Sequence, residues 1–351
     1  MTIRRQAHLV TIKDIAERLQ MNHSTVSRAL NDRSHISADT RRRVREMADE
    51  LGYVANLSAR MIRGDAGLSI GLLIPDVQND FYSRISKELA DRCRRVGLRL
   101  LLAISEDDPF TEQNEIRALL EARVNGVIAT LTSQPQPASL AMLKEVPAVQ
   151  LVRHAKQFKK AAVCMEDEAG CQAATEHLLA LGHRRVAYIG TTEAISSGQE
   201  RARGFLKAHK LRKTIPMQGG VELVPPRQAY GYDGVARLLG LKQRPTALVI
   251  GSSELTIGAL SALRKAGLQI PSDISVVGYG DPIWFELLSP ALTAVKLPVA
   301  ALAHTAAQQL FAQIEDRKSG KLSKNTMTRI MPELIVREST APLNKKSKPA
   351  P

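Results

Sequence analysis

The 351-residue chain has little cysteine and few aromatic side chains. Its three cysteines, Cys93, Cys164 and Cys171, are odd in number and lack the spacing of a zinc site. They therefore indicate reduced thiols rather than a disulfide framework or a bound metal. Aromatic residues make up 4% of the chain, which argues against binding of single-stranded nucleic acid by base stacking.

Long apolar runs are also missing. No stretch approaches the roughly 18 uninterrupted apolar residues of a membrane span. The basic segment MTIRRQAHLVTIKDIAERL at the N-terminus lacks the apolar core of about 7–15 residues that a secretion signal needs. We therefore expect a cytoplasmic protein without a membrane contact.

Motifs of enzyme chemistry are absent too. The chain has no G-x-S-x-G nucleophile elbow, no P-loop and no His/Cys set at metal-ligand spacing, and its Gly-containing segments do not complete a dinucleotide fingerprint. An enzyme remains an alternative because α/β folds host many chemistries. Since its motifs are missing, the sequence predicts a protein that is not an enzyme and has no cofactor.

Positive charge is abundant. The formal net charge is +14 and the sequence pI is about 9.9, a balance that favours a polyanionic partner such as nucleic acid. Hydrophobic residues make up 44% of the chain, enough for a large core and for more than one domain.

Three short helical patterns open the chain. The first follows Thr11, the second follows Asn22, and the third follows Ser37 and stops at Gly52. Three or four residues join the first two patterns. This arrangement predicts a three-helix, helix-turn-helix unit.

The second pattern, NHSTVSRALN at residues 22–31, combines two apolar side chains with small polar groups. Val26 and Leu30 are four residues apart and would share the inward face of a helix. In a helix-turn-helix this helix enters the major groove, with His23 and Ser24 at its leading end near base edges. Arg28 could donate two hydrogen bonds to a guanine.

Other polar residues complete the predicted DNA-binding set. Short side chains suit phosphate oxygens, which fix the position of a protein on the duplex. These residues are Thr25, Ser27 and Asn31, together with the helix-starting Thr11 and Asn22. Taken alone, such a triplet of helices with the basic run RRRVR at 41–45 is equally typical of an ordinary solvated surface.

Short apolar runs separated by helical stretches begin near residue 68. The runs are SIGLLIP, LRLLLAI, GVIATL, AVQLV, VAYIG, ALVIG and ISVVGYG. Continuous apolar strands are buried on both faces, which predicts parallel sheets covered by helices and arranged in two α/β lobes. A secreted binding protein would explain the lobes, but it would leave the first 60 residues without a role.

The predicted organisation has four parts. A DNA-binding domain occupies residues 1–55, and a hinge and linker occupy residues 56–67. The two-lobed domain extends over residues 68–340. A disordered basic tail, residues 341–351, follows.

The stretch LVTIKDIAERLQMNHSTVSRALNDRSHISADTRRRVREMADELGY resembles the N-terminal domain of the LacI/GalR repressors. The resemblance continues in the same order through NLSARMIRG, IGLLIPDVQNDFY, LGHRRVAYIG, RARGF, IPSDISVVGYGD and SPALTAVKLPV, over about residues 10 to 338. It implies a homodimeric transcription regulator, typically a repressor, that binds an inverted-repeat operator in double-stranded DNA. It also implies a second domain like periplasmic sugar-binding proteins, which dimerises and binds a small effector between two lobes.

The resemblance also implies a hinge helix at residues 56–63. Asn56 would begin it and Ile62 would be the apolar wedge inserted into the minor groove. Two family residues are replaced nearby: Gln20 stands where the helix-turn-helix usually has a turn Gly, and Ala55 stands where a Pro usually precedes the hinge. We expect Gln20 to make the turn at some cost.

Effector-binding residues follow from the same resemblance. Phe81 would either stack on the ligand or belong to the core, and Arg201 would either contact the ligand or form a salt bridge between the lobes. Trp284 would either wall the pocket or pack in the core. The predicted set consists of Phe81, Arg153, Arg201, Ser252, Asp281 and Trp284.

Departures at these positions bear on the class of effector. Three family positions that often carry Asp or Asn are Arg153, Ser252 and Gly280 in this chain, which argues against a simple sugar. Arg153 and Arg201 favour an anionic group because guanidinium binds carboxylate or phosphate in bidentate fashion. We therefore expect an organic acid or a sugar acid as effector.

Overall fold

The computed structural model describes residues 10–30, 36–53, 69–323 and 325–343. These residues form two compact units, one within residues 1–67 and one within residues 68–351. Three predicted DNA-binding residues, Asn31, Asn56 and Ile62, lie outside the described residues, as does most of the predicted tail.

The described residues of the first unit form a bundle of short helices, as the sequence predicts. The helices are α1 (Ile12–Arg18), α2 (His23–Leu30) and α3 (Ala38–Glu50). At the start of α1 the Asp14 carboxylate accepts hydrogen bonds from the Thr11 N–H and hydroxyl, at 2.6 and 2.8 Å. The small core contains Ile15, Ala16, Val26, Ala29, Val44 and Ala48, all buried.

The turn between α1 and α2 requires a left-handed residue. Gln20 occupies that position with φ of +52°, so a side chain stands where glycine would be least strained. The backbone strain that we expect where the family has a glycine is therefore located at Gln20.

Replacing this residue should stabilise the unit. We expect Gln20→Gly to raise the free energy of unfolding of the first unit by about 0.5–1 kcal/mol, because the relief of left-handed strain exceeds the added freedom of the unfolded chain. Calorimetry of the full chain, following the transition of this unit, measures the change. Gln20→Ala is the control; equal melting temperatures for the Gly and Ala variants would contradict the explanation.

The second unit alternates strands with helices. Its described strands are β1 (Ser69–Ile74), β2 (Arg99–Ile104), β3 (Val127–Ala129), β4 (Ala148–Leu151), β5 (Ala161–Met165), β6 (Val186–Thr191), β7 (Val221–Val224), β8 (Ala247–Ile250), β9 (Ser275–Gly280), β10 (Thr293–Lys296), β11 (Met327–Ile330) and β12 (Glu333–Ile335). Its described helices are α4 (Asp80–Arg95), α5 (Pro109–Glu121), α6 (Pro137–Lys144), α7 (Asp167–Ala180), α8 (Ser196–Leu211), α9 (Gln228–Leu239), α10 (Ser253–Lys265), α11 (Trp284–Leu287) and α12 (Val299–Lys318).

The strands form two sheets, which define the predicted lobes. Lobe 1 has the order β11-β5-β4-β3-β1-β2, and lobe 2 has the order β12-β10-β9-β8-β6-β7. The pairs are parallel except β10 with β12. In the described residues the chain passes between the lobes after β5, after β10 and between β11 and β12. The carboxyl ends of parallel strands form the edge where α/β sheets bind ligands.

Each apolar run predicted as a strand contains one, and these strands are buried except β2, an edge strand that is largely exposed or half-buried. Strands β7, β11 and β12 are not continuous apolar runs; they lie at sheet edges and are only partly buried. None of the described helices is long and apolar enough to cross a membrane.

Candidate nucleic-acid interface and effector cavity

Helix α2 presents a polar face to solvent. Val26 and Ala29 are fully buried, while His23 and Arg28 are exposed. Ser24 and Arg28 are four residues apart, on the side of the helix opposite Val26. The outer face thus carries groups that can donate and accept hydrogen bonds at base edges and phosphates.

The leading end of α2 is held by its predicted cap. The Asn22 side-chain oxygen accepts hydrogen bonds from the Ser24 N–H and hydroxyl, both at 3.0 Å. This arrangement fixes the first turn and leaves Ser24, Thr25 and Ser27 partly exposed. Thr11, at the start of α1, is also exposed.

A cavity lies between the lobes, with about 550 Å³ of space that is partly open to solvent. Four of the six predicted effector residues line it: Phe81 and Arg153 from lobe 1, and Arg201 and Ser252 from lobe 2. The other lining residues are Asn79, Tyr82, Val152, Met165, Thr191, Ile195, Ser197, Pro226, Ser253, Tyr279, Gly280 and Leu297.

Arg201 is held in a buried polar network within lobe 2. Its Nε donates to Asp167 Oδ1 at 2.7 Å, its Nη1 donates to the Gly251 carbonyl at 2.7 Å, and its guanidinium lies 4.1 Å from the centre of the Tyr279 ring. The Tyr279 hydroxyl donates to the same Asp167 oxygen at 2.6 Å. Burial lowers the pKa of Arg201, but the Asp167 carboxylate outweighs it and the net shift is upward.

Arg153 has a comparable position in lobe 1. It follows β4, is buried, and donates through Nη1 to Asp107 Oδ1 at 2.6 Å. Burial lowers the pKa of Arg153, whereas Tyr82 and Asp107 raise it and determine the net upward shift. Both arginines therefore remain charged beside the cavity.

The contacts between lobes are made by other residues. Both oxygens of Glu200 in α8 accept hydrogen bonds from Arg329 in β11, each at 2.8 Å. The His154 N–H donates to the Ser196 hydroxyl at 3.0 Å. The interlobe salt bridge considered for Arg201 is thus formed by the neighbouring Glu200, because Asp167, the partner of Arg201, belongs to lobe 2.

Two predicted effector residues do not line the cavity. Asp281 receives two hydrogen bonds from Arg337, at 2.7 and 3.2 Å, and this ion pair directs it away from the lining. Trp284 packs edge-on against Phe285, with ring centroids 4.4 Å apart, beside the lobe 2 core. Trp284 is therefore partly buried against the lobe 2 core and lies outside the lining of the cavity. Phe81 lines the cavity and packs on Tyr82, with ring centroids 5.1 Å apart.

Sequence reasoning missed several lining residues. Tyr279 lies near the end of the run ISVVGYG, and Thr191 is the last residue of β6. Because α/β sheets bind ligands at the carboxyl ends of their strands, both positions could have been predicted to line the cavity. The cysteines are not candidate nucleophiles, because burial raises the pKa of the Cys93 thiol to about 11 and that of the Cys164 and Cys171 thiols to about 12 and keeps all three protonated.

A helix-turn-helix unit followed by two α/β lobes around a cavity is the architecture of DNA-binding regulators controlled by small molecules. Residues 11–56 match the lacI family of bacterial regulatory proteins, and residues 175–340 match a periplasmic binding protein-like domain. The transcriptional repressor PurR of Pectobacterium carotovorum is 30% identical over 343 residues, covering 95% of this chain and 97% of that protein. The chain therefore belongs to the LacI family and is a helix-turn-helix transcriptional regulator.

Two other proteins similar to this chain are also described as repressors. The probable transcriptional repressor ExuR of Bacillus subtilis is 30% identical over 341 residues, covering 94% of this chain and 98% of that protein. The lac repressor dimer bound to operator and the anti-inducer ONPF is 27% identical and superimposes with a TM-score of 0.82, covering 95% of this chain and 100% of the other.

Proposed function

We propose that the chain is a homodimeric repressor that binds an inverted-repeat operator and is controlled by an effector in the interlobe cavity. The main support is that one chain has both an exposed polar face on α2 and a cavity lined by residues of both lobes. A solved structure of similar fold, the lac repressor dimer bound to operator and the anti-inducer ONPF, supports the proposal. We further propose that the protein acts in the cytoplasm and catalyses no reaction.

Selection of duplexes tests this function. The full chain is mixed with a randomised duplex pool, bound molecules are sequenced, and the enriched duplex is assayed by gel retardation against a scrambled duplex at one salt concentration. Enrichment of an inverted repeat supports the proposal. Equal affinity for both duplexes, or turnover of a metabolite by the purified chain, would contradict it.

Arg28 should account for much of the sequence specificity. We expect Arg28→Ala to weaken operator binding by about 1–3 kcal/mol, because the lost guanidinium no longer reads a base. Binding to the scrambled duplex should change much less. Arg28→Lys is the matched control: it retains the charge and should keep the weak scrambled binding while losing discrimination. Equal losses on both duplexes for Arg28→Ala would show that Arg28 contacts only phosphate.

A further inference from the structure

We infer that the effector is a small organic anion whose carboxylate or phosphate group is bound between Arg153 and Arg201. This inference rests on the effector control proposed above and identifies the chemical class of that effector. Its starting point is the charge of the cavity wall: the only charged side chains among its described lining residues are these two arginines, one from each lobe.

In both ion pairs the arginine lines the cavity and its aspartate partner does not. Their partners, Asp107 and Asp167, do not line the cavity, so a ligand meets the guanidinium groups first. Each aspartate holds its arginine in place and compensates for its burial before any ligand arrives. An anion therefore gains a preformed cation without the cost of ordering a flexible side chain.

Both guanidinium groups keep donors for a ligand. A guanidinium has five N–H donors in a planar fork. Among the described residues, Arg201 uses Nε and Nη1, and Arg153 uses Nη1. The Nη2 group of Arg201 and the Nε and Nη2 groups of Arg153 therefore remain for bidentate binding of carboxylate or phosphate.

Helix α8 adds positive potential at the same place. Its N-cap residue, Ile195, has no side chain that can accept a hydrogen bond, and both Ile195 and Ser197 line the cavity. The N–H groups of an uncapped first turn favour an anion. Thr191 also lines the cavity, and its buried hydroxyl has no hydrogen-bond partner among the described residues.

The position of one arginine in each lobe links binding to regulation. A single anionic group shared by Arg153 and Arg201 would hold the lobes at the separation seen here, in addition to the Glu200–Arg329 pair. Neutral hydroxyl or carbonyl oxygens can also accept hydrogen bonds from these donors, but hydrogen bonds to an ionised acceptor are about twice as strong.

Thermal-shift measurements on the full chain, in buffer free of phosphate, test the inference. The probes are matched pairs: glucuronate with glucuronamide, succinate with succinamide, and glucose 6-phosphate with glucose. We expect at least one anion to raise the melting temperature and its neutral counterpart to have no effect; the carboxylate and phosphate arms show which group is bound. A neutral probe that stabilises as well as its anion, or no shift with any anion, would overturn the inference.

Variants locate the binding site. For the anion that binds, Arg153→Gln should weaken the Kd by about 10- to 100-fold, the loss expected for hydrogen bonds to a charged group. Asp107 is partly exposed, so this variant leaves no fully buried charge and should fold. Arg203→Gln, which removes an exposed arginine of α8, is the control and should leave the Kd unchanged. Equal weakening by both variants would overturn the assignment.

Gel retardation of the selected duplex by the same protein preparations distinguishes a failure of the proposed repressor function from a failure of the proposed anionic effector. If operator binding is intact and neutral probes bind, only the anionic class is wrong. If no duplex is bound with specificity, the proposed function fails whatever the ligand results are.

Discussion

Asp167→Ala should destabilise the second unit by about 3–5 kcal/mol, because the variant leaves Arg201 buried without its counter-charge. Arg201 and Asp167 are both almost completely buried, so water cannot replace the lost carboxylate. The Tyr279 hydroxyl loses its acceptor at the same time. For a unit of this size the melting temperature should fall by roughly 10 °C.

The adjacent residue provides a matched control. Glu168 pairs with Arg203 and Lys207, but these partners are about half exposed. Glu168→Ala should therefore cost no more than about 1 kcal/mol, since exposed ion pairs contribute little. Calorimetry of both variants decides the matter, and a similar loss of stability in the two would show that burial of the Asp167 pair is not the cause.

Scrambling one half of the operator should weaken binding by about 100-fold or more. In the proposed homodimer each α2 reads one half-site, and each mismatched base pair costs about 1–3 kcal/mol up to the limit of non-specific affinity. The measurement is gel retardation with the selected duplex, a duplex with one scrambled half, and a fully scrambled duplex. Full affinity for a single half-site would contradict the two-fold arrangement.

Exposed apolar side chains lie at one edge of each sheet of the second unit. Strands β2 and β7 are the sheet edges farthest from the crossover strands β11 and β12. Exposed apolar side chains occur on or beside them: Leu102, Phe110, Val221 and Leu223. Sedimentation at the concentrations of the binding assay shows whether the half-site effect occurs in a dimer; a monomer that distinguishes the selected from the scrambled duplex would contradict the proposal.

Local pattern was sufficient for much of the fold. The spacing of Val26 and Leu30 predicted a helix with an inward apolar face, and the runs of buried residues predicted parallel strands, because both features repeat within a few residues. The helix starts at Thr11, Asn22 and Ser37 were equally readable, since a cap acts on N–H groups only two or three residues away.

The composition of the cavity was only partly predictable. Arg153, Arg201, Phe81 and Ser252 follow or lie near the carboxyl ends of strands, and a resemblance to a family placed them there in advance. Whether an individual side chain turns toward the cavity depends on partners distant in sequence. Asp281 could not be excluded from the lining until Arg337, 56 residues away, was seen to bind it.

The amino-acid sequence by itself determined the helix-turn-helix, the alternation of strands and helices, and the positive charge, because these depend on neighbours along the chain. Only the tertiary structure decided which arginine joins the lobes and which arginines line the cavity. Glu200 and Arg329 are 129 residues apart, and Tyr279 and Asp167 are 112 apart. The first pair arises from the packing of the two lobes against each other and the second from the packing of α7 on the sheet of lobe 2, and no periodicity within either segment specifies them.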